Sequence, residues 1–264
     1  MPRALITGCS TGIGRATALE LTARGYEVVA SARRPESIAD LKVSSTCTLD
    51  VDDDASVAAA LGQLGPLDVL INNAGFGCDG AVEDVPLADV RRAFETNFFG
   101  AVRMIQAFLP AMRERGSGAI VNVSSVAGIA AGPLSGFYSA SKWALEAMSE
   151  ALHLEVGHFG VRVLIVEPGS IQTSFGTNLV DHRWTDGPYR PLADQWTSAS
   201  EVLTGGESPG PELVANAIAD ALESDGGPLR LPVGSDAALV ASARGGTPYA
   251  EFESLMRAAL KIDW

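Results

Sequence analysis

Cysteine is scarce, histidine equally so, bases are outnumbered, and no apolar run is long. The 264-residue chain has three cysteines, Cys9, Cys47 and Cys78, an odd number with no CxxC spacing. That pattern argues against a disulfide framework, and a metal site would have to borrow from three scattered histidines. Reduced thiols in a cytoplasmic protein are the expectation. No apolar run approaches the ~18 residues of a membrane span, and the N-terminus enters a strand with no leader-like segment, so the protein reads as soluble and not exported. Lysine and arginine number 19 against 32 acids, a formal charge of −13. An acidic surface repels phosphate backbones and anionic lipid, so neither nucleic acid nor membrane is an expected partner. A short basic patch stands at Arg33-Arg34.

Apolar residues make up 47% of the chain, enough at this length for a large core, read here as one domain over residues 1–264. Strand candidates are Ala4–Thr7, Glu27–Ser31, Cys47–Leu49, Val69–Ile71, Ala119–Val123 and Arg162–Val166. Most are apolar on both faces, as strands covered on both sides are. Helix-like stretches alternate with them: Gly12–Arg24, Pro35–Leu41, Asp54–Leu64, Leu87–Arg115 and Phe137–Phe159. The alternation predicts an α/β, doubly wound parallel sheet (a Rossmann arrangement) of about seven strands with helices on both faces. Residues 174–210 show no sustained period. They form a lid or substrate loop, or hide short helices, and carry Phe175, Trp184, Tyr189 and Trp196. A helix is expected at Pro211–Glu223, a closing strand at Arg230–Val233 and a last helix at Tyr249–Leu260.

Thr7-Gly8-Cys9-Ser10-Thr11-Gly12-Ile13-Gly14 follows the first strand and opens a helix. Strand, glycine turn and helix N-terminus together suit a pyrophosphate, although GxxxGxG is not the usual GxGxxG spacing. Gly8 would permit the turn, Gly12 the backbone's approach to phosphate, and Gly14 close helix packing. The second strand ends without the acid that would hold adenosine ribose hydroxyls; Arg33 and Arg34 stand there instead. A guanidinium suits a 2′-phosphate, so NADP is favoured over NAD, with Ser10 and Thr11 offering hydroxyls to the same phosphate.

Tyr138-Ser139-Ala140-Ser141-Lys142 puts a phenol and an ammonium at i and i+4, on one helix face. A free phenol has a pKa of about 10, and a nearby ammonium is expected to lower it toward use as an acid/base. Ser124-Ser125 ends the strand before this helix, where such sheets bind ligands, and Ser125 would donate to a substrate carbonyl. A Ser-His-Asp arrangement is disfavoured: His153 and His158 lie late in a helix, and His182 has no evident partner.

Thr7-Gly8-x3-Gly12-Ile13-Gly14, Asn72-Asn73-Ala74-Gly75, Asn97, Ser125, Tyr138-x3-Lys142 and Pro168-Gly169-x3-Thr173 occur in this order. Over about residues 3–175, and more loosely to about 235, the chain resembles the single-domain type of the short-chain dehydrogenase/reductase family. The resemblance implies that Tyr138 is the acid/base and that Lys142 holds the nicotinamide ribose and tunes the tyrosine. Ser125 would orient the carbonyl and Asn97 anchor the water of a proton relay. Asp50 and Val51 match an adenine contact; Asn73, Ala74 and Gly75 would pack on the adenosine side; Pro168, Gly169, Ile171 and Thr173 would flank the nicotinamide. Arg33 and the tail Pro211–Ala221 followed by Leu229–Ala237 look like the 17β-hydroxysteroid dehydrogenase-like, NADP-using branch, although Thr11 stands where a basic residue would precede Gly12.

Phe175, Leu179 and Val180, with Phe137 and Val126–Pro133, would wall an apolar substrate site with few polar anchors. The expected substrate is a bulky apolar ketone, aldehyde or alcohol: steroid-like, cyclic or aryl. Reduction of C=N or activated C=C bonds in the same pocket is the rival chemistry, and a non-catalytic NADP-binding regulator the rival class. Leu87–Arg115 and Phe137–Phe159 are apolar over a wide arc, which predicts a homodimer or homotetramer built on those helices.

Overall fold

In the computed structural model, the described residues are 1–175, 179–183, 187–204 (backbone only over 200–204) and 208–264. Along the chain run β1 (Arg3–Ile6), α1 (Gly12–Ala23), β2 (Glu27–Ala32), β3 (Ser45–Thr48), α2 (Asp54–Leu64), β4 (Val69–Asn72), β5 (Cys78–Asp79), α3 (Leu87–Phe94), α4 (Ala101–Arg115) and β6 (Gly118–Val123). Then come α5 (Gly136–Val156), β7 (Val161–Pro168), β8 (Val180–Asp181), α6 (Arg190–Thr204), α7 (Glu212–Glu223), β9 (Arg230–Val233), α8 (Ser235–Arg244) and α9 (Tyr249–Leu260).

Seven strands form one parallel sheet in the order β3-β2-β1-β4-β6-β7-β9. Because successive strand residues point to opposite faces, Ala4 and Ile6 enter one core and Leu5 the other. Ala18 and Leu21 of α1 and Val214 and Ile218 of α7 cover the first face. Val57 of α2, Met104, Phe108 and Met112 of α4 and Leu152 of α5 cover the second. Each large side chain buried this way contributes roughly 1.5–3 kcal/mol. The strand order reverses between β1 and β4, and the crevice outside the carboxyl ends there is where an open α/β sheet takes its ligand.

Several local expectations need correction. Leu87–Arg115 is not one helix: a π turn over Glu95–Gly100 separates α3 from α4. Val51 crowds this turn, since a Cβ on Gly100 would lie 2.7 Å from Val51 Cγ2. Pro35–Leu41 forms only a 3-10 turn over Pro35–Ile38. Residues 174–210 contain α6 and β8, and β8 pairs with β5 in a small second sheet. Trp184 lies outside the described residues. Helix α8, short and alanine-rich, has too few large apolar residues to show a period and was not expected. His182 does have a partner: its Nε2 lies 3.1 Å from Asp89 Oδ2, a pairing across tertiary structure that no sequence spacing reveals.

Candidate active site

A cleft of about 720 Å³ runs along the carboxyl ends of the strands. At one end is the glycine turn. Gly8 and Gly12 have φ of +74° and +59°, which L side chains rarely adopt. A Cβ on Gly14 would collide with Asn73 Nδ2, so α1 can sit against the β4 end only with glycine there. Asn73 locks the turn by donating to the carbonyls of Thr7 (2.8 Å) and Gly8 (3.2 Å). In return Thr7 Oγ1 accepts from the amides of Asn73 and Ala74, both at 3.0 Å. No acid stands in the first turn of α1, so its N-terminal N–H groups remain suited to an anion.

Gly8, Ser10, Thr11, Gly12, Ile13, Arg33, Asp50, Val51, Asn73, Ala74 and Gly75 all line this cleft, as do Pro168, Gly169, Ile171 and Thr173. Arg33 is exposed and makes no ion pair among the described residues, whereas Arg34 is not on the cleft wall. Of the basic pair, Arg33 alone reaches the cleft. The residues present fit a dinucleotide: a glycine cradle that a Cβ would fill and an acid-free helix N-terminus beside an exposed guanidinium.

Ser125, Tyr138, Lys142 and Phe175 line the other part of the same cleft. The Tyr138 hydroxyl faces the side chain of Ser125, and its ring meets Phe175 edge-on at 5.7 Å. Ser125 Oγ also accepts from Ala127 N at 3.1 Å, capping the short turn after β6. Lys142 is buried; its Nζ donates to the Val123 carbonyl at 2.9 Å and lies 5.9 Å from the Tyr138 ring centroid.

The expected lowering of the phenol is not what this arrangement produces. Burial pushes Tyr138 up to about 12, against the pull of Ser125, and Asp79 adds to the rise. The ammonium is itself desolvated, down to about 8, with Glu146 opposing the fall. Desolvation leads the shift of both groups, and the short contact of the ammonium is with the Val123 carbonyl.

Asn97 lies in the π turn, behind Gly75 and off the cleft wall. Its Oδ1 accepts from Phe76 N, and its Nδ2 donates to Phe76 O and Ser141 Oγ, all at 3.0 Å. Leu179 packs against Gly77 beside Phe175 but lines neither this cleft nor the second cavity described below. Sequence reasoning missed Asp236, whose Oδ2 accepts from Ser170 N at 2.6 Å and braces the turn after Pro168. It also missed Phe76, Arg92 and Thr96 on the cleft wall. Only position in the folded chain marks these residues out.

The family model described as short chain dehydrogenase matches residues 2–184, and the chain belongs to that family of oxidoreductase enzymes. A curated relative, 3-ketodihydrosphingosine reductase of Bacteroides thetaiotaomicron, is 39% identical over 237 residues, covering 87% of each chain. A short-chain dehydrogenase from Streptomyces avermitilis has a similar structure, with TM-score 0.82 and 34% identity, covering 100% of this chain and 98% of that one. Another from Burkholderia cenocepacia, solved in complex with NADP, gives TM-score 0.79 and 27% identity over 98% and 97% of the two chains.

Proposed function

We propose that this protein is an NADP(H)-dependent oxidoreductase that interconverts a ketone or aldehyde and its alcohol, with Tyr138 as general acid/base. The observation that carries the reading is that one cleft has the glycine cradle and the unpaired Arg33 at one end and Ser125, Tyr138 and Lys142 at the other. Gly8, Ser10, Thr11, Gly12, Ile13 and Arg33 would hold the phosphates. Asp50, Val51 and Asn73–Gly75 would hold the adenosine side, and Pro168, Gly169, Ile171 and Thr173 the nicotinamide. When bound, the dinucleotide supplies or accepts the hydride at the substrate carbon. In the reductive direction Ser125 orients the carbonyl oxygen, Tyr138 gives that oxygen its proton, and the Lys142 ammonium stabilises the phenolate left behind. Asn97 sits close to Lys142 across Gly75, where a Cβ would lie 3.0 Å from Asn97 Oδ1 and 3.6 Å from Lys142 Nζ. In this reading it anchors the water that returns the proton.

The substrate we propose is bulky and apolar. Beyond Ser125, the segment Val126–Pro133 walls a second cavity of about 490 Å³ shared with Trp196, Phe252, Met256 and Leu260. Among the described residues its charged side chains are Glu253 and Arg257, paired with each other at 2.9 Å. Among them no cation is left as a dedicated handle for an anionic group, while the volume lies in the range of small-molecule sites. The Bacteroides relative is named as a reductase of a keto compound, which agrees with the carbonyl chemistry proposed.

In the assembly we propose, a homodimer or homotetramer in the cytoplasm, exposed Trp143 and Leu154 of α5 and Phe99 before α4 meet a second copy. Light scattering at micromolar concentration should return a dimer or tetramer mass; a monomer refutes this part. The test of the chemistry is Tyr138→Phe assayed with cyclic ketones, aryl ketones and steroids against NADPH. Turnover should fall by about 10²- to 10⁴-fold while NADPH still binds, because the proton is removed and not the pocket. A variant that keeps the full rate shows that Tyr138 is not the acid.

A further inference from the structure

Tyr138, Lys142, Glu146 and Glu150 recur every four residues on α5, so one stripe of the helix leads from the cleft to the surface. Lys142 and Glu146 are both buried, at 4% and 3% exposure, whereas the side chain of Glu150 is 54% exposed. Arg230, at the start of β9, reaches the outer end of this stripe. Its Nη1 donates to Glu146 Oε2 and to Glu167 Oε1, each at 2.5 Å, and its Nη2 donates to Glu150 Oε1 at 2.8 Å. Glu167, 1% exposed, is the residue before Pro168 on β7. Glu146 also faces Ser124 on the cleft wall: a Cβ on Gly128 would lie 2.8 Å from Ser124 Oγ and 3.0 Å from Glu146 Oε1.

We propose that Glu146 and Arg230 are positioning residues for the reaction: Glu146 supplies the buried counter-charge that keeps Lys142 an ammonium, and Arg230 holds Glu146 ionised. The inference rests on the function proposed above only in giving Lys142 a catalytic task. The charges balance inside the protein: Lys142 and Arg230 against Glu146 and Glu167, with Glu150 at the solvent edge. An unpaired charge buried this deeply would neutralise itself. Glu146 is poised for that, since burial raises its carboxyl to about 7 while Ser124 and Arg230 hold it down and Glu167 pushes it higher. Removing the guanidinium carries Glu146 into its neutral form near pH 7. Lys142 then loses the Glu146 carboxylate that raises it and sheds its proton at lower pH. On the cleft side the remaining neighbours are Tyr138, which faces Ser125, and Asp79, which acts on Tyr138.

The chain has three lysines, Lys42, Lys142 and Lys261, so an NMR titration of the full chain labelled with ε-¹³C lysine reads Lys142 directly and needs no turnover. Glu146→Gln should move the Lys142 midpoint down by about one pH unit or more. Arg230→Gln should move it the same way, and Arg230→Lys should restore most of the shift. Glu150→Gln should leave the midpoint in place. Arg230 is part-exposed at a strand end, so its pair of variants decides the matter if Glu146→Gln does not fold. A Lys142 midpoint that stays put in Arg230→Gln overturns the proposal and makes the cluster a structural ion network only. Failure of the functional reading shows separately, as full turnover in Tyr138→Phe.

Discussion

The carboxylate of Asp236, at the start of α8, accepts from the backbone amide of Ser170 at 2.6 Å and occupies the space a side chain on Gly169 would need. A residue from the last third of the chain thus sets the path of Pro168-Gly169-Ser170, part of the cleft wall. Asp236→Ala should release that turn. A charge-assisted hydrogen bond of this kind contributes about 1.5–3 kcal/mol. The expected result is a lower melting temperature together with a rise of about tenfold in KM for the dinucleotide. Unchanged cofactor kinetics would show that the turn keeps its path without Asp236.

Arg33 lies on the cleft wall and makes no ion pair among the described residues. Arg33→Ala should raise KM for NADPH by about ten- to a hundredfold, the worth of a hydrogen-bonded charge pair, and leave NADH nearly unaffected. The ratio of kcat/KM for the two cofactors, measured side by side, checks this. A wild-type enzyme that prefers NADH would overturn the assignment of Arg33 to the 2′-phosphate.

Asp79 raises the phenol of Tyr138, and burial brings its own carboxyl up to about 6 against the pull of Arg183, 3.4 Å away. Above that pH Asp79 is an anion that disfavours the phenolate. Alcohol oxidation needs the phenolate, so its rate climbs as pH rises through the phenol's pKa. Asp79→Asn removes the opposing charge, lowers that pKa, and should move the climb to lower pH by up to about one unit. Below pH ~6 the wild-type carboxyl is itself protonated, and the two profiles should converge. Profiles of kcat/KM for oxidation that coincide across pH 6–10 would show that Asp79 has no hold on Tyr138.

The strand-helix alternation, the glycine turn and the i,i+4 spacing of Tyr138 and Lys142 were legible because each is local: period, backbone freedom and helical repeat are written within a dozen residues. The π turn at Asn97 was not, because its backbone takes that path against Val51 and Phe76, which belong to other elements. The electrostatics of Tyr138 were misjudged for a similar reason. Helical spacing brings Lys142 to the same face, but burial and the Val123 carbonyl decide what the ammonium does there.

The chain's own order of residues determined the layered α/β architecture and the positions of the turn, the phenol and the amine, since apolar period and glycine placement act over short range. Folding alone decided which charges meet. Asp236 reaches Ser170 across 66 positions, Arg230 reaches Glu146 across 84, and His182 reaches Asp89 across 93. Coulombic and hydrogen-bond energies depend on distance in space and on the water excluded around them. Both quantities exist only once the sheet has closed and its helices have packed.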